Sequence, residues 1–190
     1  MDNRSKEEFL EYLLPNRQRL SNFARAMCKN NEDAKDVIAE TILSVFENWE
    51  KINEKKAFLS YMFTTATRIY RKMYKRNRFF TFFESEQEEN IPSYFATSSK
   101  YDTDVLYTLL NKLPDKQKEA IVLFEISGLS LEELQIIQGG TLSGVKTRLK
   151  RGREKLKSML SVDIKNYNLA GEEKIINSNA FAINLKVSNE

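Results

Sequence analysis

Apolar residues recur at helical intervals along almost the whole chain, in stretches separated by polar breaks. Residues 6–30 carry two such faces, Phe9, Leu10, Leu13 and Leu14 first, then Leu20, Phe23, Ala24 and Met27. Pro15 stands between them and suits the first turn of a new helix, where a missing N–H costs nothing. Lys29-Asn30-Asn31 breaks the pattern; Asn30 or Asn31 can cap the next helix, whose positive end suits Glu32 and Asp33. That helix, about 32–49, sets Ala34, Val37, Ile38, Ile42, Val45 and Phe46 on one side and Asp33, Asp36, Glu40 and Glu47 elsewhere. By periodicity alone its acidic face reads as a solvated surface.

After a polar loop from Lys51 to Lys56, a long helix starts near Ala57, with Phe58, Tyr61, Met62, Thr65, Ile69 and Met73 as its inner stripe. Its second half mixes Lys and Arg with Tyr70, Tyr74, Phe79, Phe80, Phe82 and Phe83. Such rings can stack unpaired bases while cations track a backbone; they can equally be core, and for Phe79 to Phe83 both readings stand. Residues 84–104 hold no period and read as a linker. Val105, Leu106, Leu109, Leu110 and Leu113 form the next apolar face, Pro114 ends or starts a segment, and Lys118 to Ile126 is helical with Gly128 as C-cap.

Two further patterns, Leu131 to Gln138 and Ser143 to Met159, are separated by Gly139-Gly140-Thr141, the spacing of a helix-turn-helix. Ser143 reads as N-cap of the second helix. Val145, Leu149, Gly152 and Leu156 make its buried stripe, and Lys146, Lys150, Arg153 and Lys157 an adjacent row, with Thr147 and Arg151 beside it. In the tail, Phe181, Ile183, Leu185 and Val187 alternate, which favours a short strand that docks on a partner over a helix; a disordered tail is the other reading. The fold class expected is all-α: two small helical domains joined by a flexible acidic linker, the second containing the helix-turn-helix.

Charge sharpens this picture because it is blocked. Arg68 to Arg78 holds six basic residues and no acid; Glu84 to Asp104 holds six acidic residues and only Lys100; Lys146 to Lys157 holds seven basic residues and one acid. A net charge of +3 conceals two basic modules around an anionic connector. Chemistry is narrowed as well. The 190-residue chain has one cysteine, Cys28, and no histidine, which excludes an internal disulfide, His/Cys zinc sites and His-based triads. No metal, cofactor or catalytic residue is expected. No apolar run approaches the roughly 18 residues of a membrane span, and the first residues lack a signal-peptide layout. The expectation is a cytoplasmic, non-enzymatic protein with no membrane partner.

The segment LPDKQKEAIVLFEISGLSLEELQIIQ, followed by SGVKTRLKRGREKLK, resembles the promoter −35-reading domain of bacterial RNA polymerase sigma factors of the extracytoplasmic-function type. NEDAKDVIAETILSVFENW resembles the helix with which such factors grip the polymerase clamp, and Phe58 to Arg78 their −10-element helix. The resemblance spans roughly residues 8–160. It implies a division into 1–83 for the clamp and −10 element, 84–104 as linker, 105–161 for the −35 element, and a tail 162–190. It implies polymerase contacts at Asp33, Asp36, Glu40, Thr41 and Ser44. For the −10 element and melting it implies Lys55, Lys56, Tyr61, Arg68, Arg71, Lys72, Lys75 and Arg76. In the reading helix, which Ser143 opens, Lys146, Thr147, Lys150 and Arg151 would face bases, with Arg148 and Arg153 serving phosphates.

The sequence also departs from the family pattern. Arg68 and Lys72 stand where an Asn and an Asp are common, Tyr61 replaces a Trp and Ala39 a Gln. Gln135 occupies a position normally held by a small Ala, and Gly144 replaces a Thr. Cations in place of polar base readers trade selectivity for phosphate affinity.

The function expected is transcription initiation, with core RNA polymerase (clamp and flap) and promoter DNA, duplex and single-stranded, as partners. An anti-sigma factor is a further partner, or a DNA-targeting recruiter such as an RNA-guided, nuclease-dead CRISPR effector that docks on the tail from Val162. The alternative is a stand-alone helix-turn-helix regulator, which leaves the acidic helix and the aromatic-basic segment unused.

Overall fold

The computed structural model describes residues 3–52, 57–81 and 98–169. Its elements run α1 (Asn3–Met27), α2 (Asn31–Glu47), a 3-10 turn (Trp49–Lys51), α3 (Phe58–Thr81), α4 (Ser98–Asn111), α5 (Asp115–Ile121), a π-helical turn (Val122–Ile126), α6 (Leu131–Gln138) and α7 (Leu142–Leu169). The architecture is all-α as expected, in two helical regions, and no strand occurs among the described residues.

The first region is built on rings. Phe9 of α1 meets Phe46, Trp49 and Phe58 edge-on at centroid distances of 5.2, 5.5 and 6.3 Å, and Tyr12 lies against Trp49 and Phe58. Edge-to-face pairs of this kind each contribute about 0.5–1.5 kcal/mol beyond burial. Pro15 does not start a new helix; it lies inside α1. Phe9, Leu13, Leu20 and Phe23 keep one register and are all buried in the same core, so both halves of α1 are held to a common axis. Pro15 itself is exposed, and Asn16 Nδ2 donates to the Tyr12 carbonyl at 2.9 Å beside it. Leu10 and Leu14, read as core, point to solvent instead. Asn30 is the cap of α2, its Oδ1 accepting from the Asp33 N–H at 2.7 Å.

The second region is a helix-turn-helix with a different start from the expected one. The cap of α7 is Thr141, whose Oγ1 accepts from the Gly144 N–H at 3.1 Å, so the helix begins at Leu142 and Ser143 sits exposed in its first turn. Gly139 and Gly140 take φ of +71° and +89°, a conformation that side chains resist. Gln135 does not hold α6 and α7 apart; its Nε2 donates to the Gly140 carbonyl at 3.0 Å and so ties the turn. Ser130 and Glu133 form a reciprocal capping box at the start of α6. At its far end α7 continues as helix to Leu169, beyond the expected Met159, and α4 begins at Ser98, inside the segment read as linker. Phe82, Phe83 and the alternating tail positions lie outside the described residues, as do the side chains of Phe79 and Phe80.

At Gly152 α7 packs tightly against α5. A Cβ there would stand 3.0 Å from Ile121 Cγ1 and 3.4 Å from the Gln117 carbonyl oxygen. Gly152→Leu is therefore expected to destabilise the full-length chain by roughly 1–3 kcal/mol through overpacking, measured by denaturant unfolding. An unchanged midpoint would contradict this close approach.

Candidate nucleic-acid and polymerase interface

Three surfaces carry the candidate residues, and the folding of each helix decides which side chains are available. On α2 the buried side is Ala34, Val37, Thr41 and Val45. Asp36 and Glu40 fall opposite and are exposed, so the acidic face is real and open. Asp33 is half-buried and accepts from Asn30 Nδ2 at 3.2 Å. Ser44 is half-buried, and its carbonyl accepts from Asn48 Nδ2. Thr41 does not belong to this surface. It is fully buried, and its hydroxyl donates to the Val37 carbonyl at 2.6 Å, the standard way a helix hides a threonine.

On α3, Arg68, Lys72, Lys75 and Arg76 are exposed and form a cationic outer row, while Tyr61 is half-buried against the core. Arg71 leaves the row. Its Nε and Nη2 donate to the two carboxylate oxygens of Glu119 on α5 at 3.0 and 2.6 Å, a bidentate pair whose acid is nearly sequestered from solvent. Its guanidinium therefore faces the second region, not an outer strand. Lys55 and Lys56 lie outside the described residues.

On α7 the exposed arc carries Ser143, Lys146, Thr147, Lys150 and Arg151. Of these, Lys150 makes a loose 3.9 Å ion pair with Glu154 at the surface. The Thr147 hydroxyl donates to the Ser143 carbonyl at 2.9 Å. Arg148 and Arg153, expected at phosphates, are turned toward the protein. Arg148 donates to Gln138 Oε1 at 2.6 Å and to the Gly139 carbonyl at 3.1 Å. Arg153 donates from Nε to Glu125 Oε1 at 2.7 Å, and its guanidinium lies 5.5 Å from the centre of the Phe124 ring.

The two regions meet in one joint, and the sequence pattern did not expose it. Arg19 donates to the carbonyls of Ser127 and Gly128, and the buried Lys118 donates from Nζ to the Met27 carbonyl at 2.6 Å and to Asn111 Oδ1 at 2.7 Å. The Arg71–Glu119 pair is the third tie. No local motif announces these contacts. The Lys118-Glu119 step directly before the apolar run Ala120-Ile121-Val122-Leu123-Phe124 was the available hint, since charges beside such a run need partners once it is buried. Among the described residues no group of three His, Cys, Asp or Glu could hold a metal ion, and no helix is long and apolar enough to cross a membrane.

Burial pulls the Lys118 pKa down from 10.5 to about 8, with Cys28 and Asp115 opposing the drop and Lys29 adding to it. Below about pH 8 the lysine is charged whether the chain is folded or unfolded, and the desolvation cost is carried in full. Between about 8 and 10.5 the folded chain releases a proton that the unfolded chain keeps, so stability rises with pH, by on the order of 3 kcal/mol at most. The neutral amine retains the donors for both of its bonds. Burial also pushes the Cys28 thiol up to about 12, which works in the opposite sense from about pH 9 upward. The melting temperature of the full-length chain should therefore rise from about pH 7.5 to about 9, and Lys118→Met should flatten that rise. A rise that survives the substitution would assign it to another group.

The model of the family described as sigma-70 region 2 matches residues 13–80, and that of sigma-70 region 4 matches residues 103–156. The chain is similar to the extracytoplasmic-function sigma factor EcfG of Rhodopseudomonas palustris, at 28% identity over 74% of this chain and 78% of that one. It is also similar to the sigma factor CarQ of Myxococcus xanthus, at 25% identity over 82% and 91%. Among solved structures, that of the sigma factor RpoE in complex with the anti-sigma factor NepR from Bartonella quintana superposes with a TM-score of 0.70, at 25% identity. It covers 83% of this chain and 99% of that one.

Proposed function

Since the chain belongs to the extracytoplasmic-function sigma factors of bacterial RNA polymerase, we propose a residue-level division of its work in transcription initiation. Core polymerase and promoter DNA are the partners of this family's two regions. Sigma factors carry out initiation as non-enzymatic DNA-binding proteins, so the residues act by binding. The stand-alone regulator and the recruited factor draw no support from these relatives.

The observation that carries the division is the separation of sign among exposed side chains. Asp36 and Glu40 on α2 present carboxylates. Arg68, Lys72, Lys75 and Arg76 on α3 present cations, as do Lys146, Lys150 and Arg151 on α7. The acidic face suits a polymerase surface, with Asp33 and Ser44 at its margin. The α3 row suits the backbone of a melted −10 strand, where charge tracks phosphates and Tyr61 supplies a ring. Lys55 and Lys56 are assigned to the same strand from the family pattern alone. The arc of α7, with Ser143 and Thr147, suits the −35 major groove. Arg71 is left out of the DNA row while Glu119 holds it, and buried Thr41 is left out of the polymerase face. Residues 1–83 and 105–161 are the corresponding functional units, joined by the acidic segment 84–104. An anti-sigma partner, of the kind the Bartonella quintana factor binds, and action in the cytoplasm belong to the same reading. The tail after Leu169 is assigned no role.

Purified chain is expected to co-elute with bacterial core polymerase in size-exclusion chromatography. Asp36→Arg combined with Glu40→Arg should weaken that association by roughly tenfold or more through charge reversal at one face. Undiminished co-elution of the double variant would move the polymerase contact off α2.

A further inference from the structure

The reading helix divides its cations into two classes by geometry. At 100° per residue, Val145, Leu149, Gly152 and Leu156 define a buried stripe, and Arg148 and Arg153 fall about 70° to either side of its centre. They are the two shoulders of the helix, and each is fastened. On one shoulder Arg148 reaches back to Gln138 Oε1 and the Gly139 carbonyl, and Gln138 Nε2 in turn donates to the Lys116 carbonyl at 3.0 Å. That chain of bonds links α7, the end of α6, the turn and the start of α5. On the other shoulder Arg153 grips Glu125 and lies over Phe124, both in the π-helical turn. Lys146, Lys150, Arg151, Lys155 and Lys157 occupy the exposed arc between the shoulders.

We propose that Arg148 and Arg153 are positioning residues that fix the roll of α7 about its axis, and that phosphates are met by Lys146, Lys150 and Arg151 instead. The chemistry of the two side chains fits the split. A planar guanidinium can satisfy two acceptors at fixed angles, as Arg148 does, or hold a carboxylate while sitting over a ring, as Arg153 does, whereas an ammonium serves as a mobile point charge. Roll matters because rotating the helix by one residue, about 100°, replaces the side chains presented to the groove. Two braces on opposite shoulders resist rotation in both senses. The inference rests on α7 being the helix that enters the major groove.

The test uses full-length protein assembled with core polymerase. It compares duplexes selected by the wild-type holoenzyme from a random pool with the unselected pool. Arg148→Met, Arg153→Met, Gln138→Ala and Glu125→Gln should each lower affinity for the selected duplexes by roughly tenfold, the scale of one lost base contact. Binding to the random pool and the slope of log affinity against log salt should stay as in wild type. Lys150→Met should instead lower both duplex affinities and reduce the slope by about 0.9, the signature of one lost phosphate contact. Glu125→Gln is the sharpest arm, because it makes the chain more cationic and frees Arg153. Loss of selectivity supports the brace; tighter binding with a steeper slope overturns it. A slope reduced by about 0.9 in the arginine variants also overturns it. So does an equal loss on both duplexes that follows a lowered melting temperature, which would mark support of the fold alone. If wild-type holoenzyme selects no duplex above the pool, the reading of α7 itself fails and takes this inference with it. If it selects sequences that the four brace variants recognise equally well, only the brace fails.

Discussion

Burial of one continuous apolar cluster drawn from both helical regions is the constraint to which the other features answer. Leu20, Phe23 and Met27 of α1 and Phe63 and Ala66 of α3 belong to the same cluster as Leu110, Val122, Leu123 and Leu134 from the second region. Sharing that cluster brings polar backbone and charged side chains into a dry boundary, where each needs a partner. Arg19 covers carbonyls at the exit of the π-helical turn, and Lys118 covers the last carbonyl of α1, where the negative end of the helix dipole favours a cation. Arg71 and Glu119 satisfy each other. Such a pair adds little net stability compared with apolar residues of the same volume, but removing one partner strands a buried charge. The polar ties therefore fix how the regions meet, while the apolar cluster supplies the driving force.

The π-helical turn has a part in both boundaries. Its widened ring, closed by the Ser127 N–H on the Val122 carbonyl at 2.9 Å, adds a residue to the turn. That insertion accompanies Glu125 facing Arg153 and the Ser127 carbonyl facing Arg19. A single irregularity thus serves the seating of α7 and the joint between the regions.

Local pattern made the stripes legible: Val145, Leu149 and Gly152 are buried as their spacing implied, and the glycine turn lies where the sequence put it. Ser130-Leu131-Glu132-Glu133 carries a capping box that an apolar period beginning at Leu131 does not register. Ser143 looked like a cap for the same reason that Thr141 is one, since both carry a hydroxyl near the helix start and only the turn geometry chooses between them. Pro15 misled because a proline's effect depends on what the rest of its helix packs against. Availability of the charged residues was the least legible property. Arg71, Arg148 and Arg153 look like their exposed neighbours until their acceptors are known, and the acceptor of Arg71 is 48 residues away. Lys118 and Met27, 91 residues apart, show the same limit.

The shared cluster also sets a length. Promoter elements centred near −10 and −35 are about 25 base pairs apart, which is roughly 85 Å of straight duplex at about 3.4 Å per base pair. A compact chain of this size has a radius of gyration of roughly 16 Å and is about 40 Å across. With its two regions joined as they are, a molecule of that width covers about half the interval between the elements that the proposed division assigns to α3 and α7. If α3 and α7 take those elements as proposed, touching both at once requires the regions to part, exposing Lys118, Glu119 and the apolar surface around them. On that division, a polymerase surface takes over what the joint gives up.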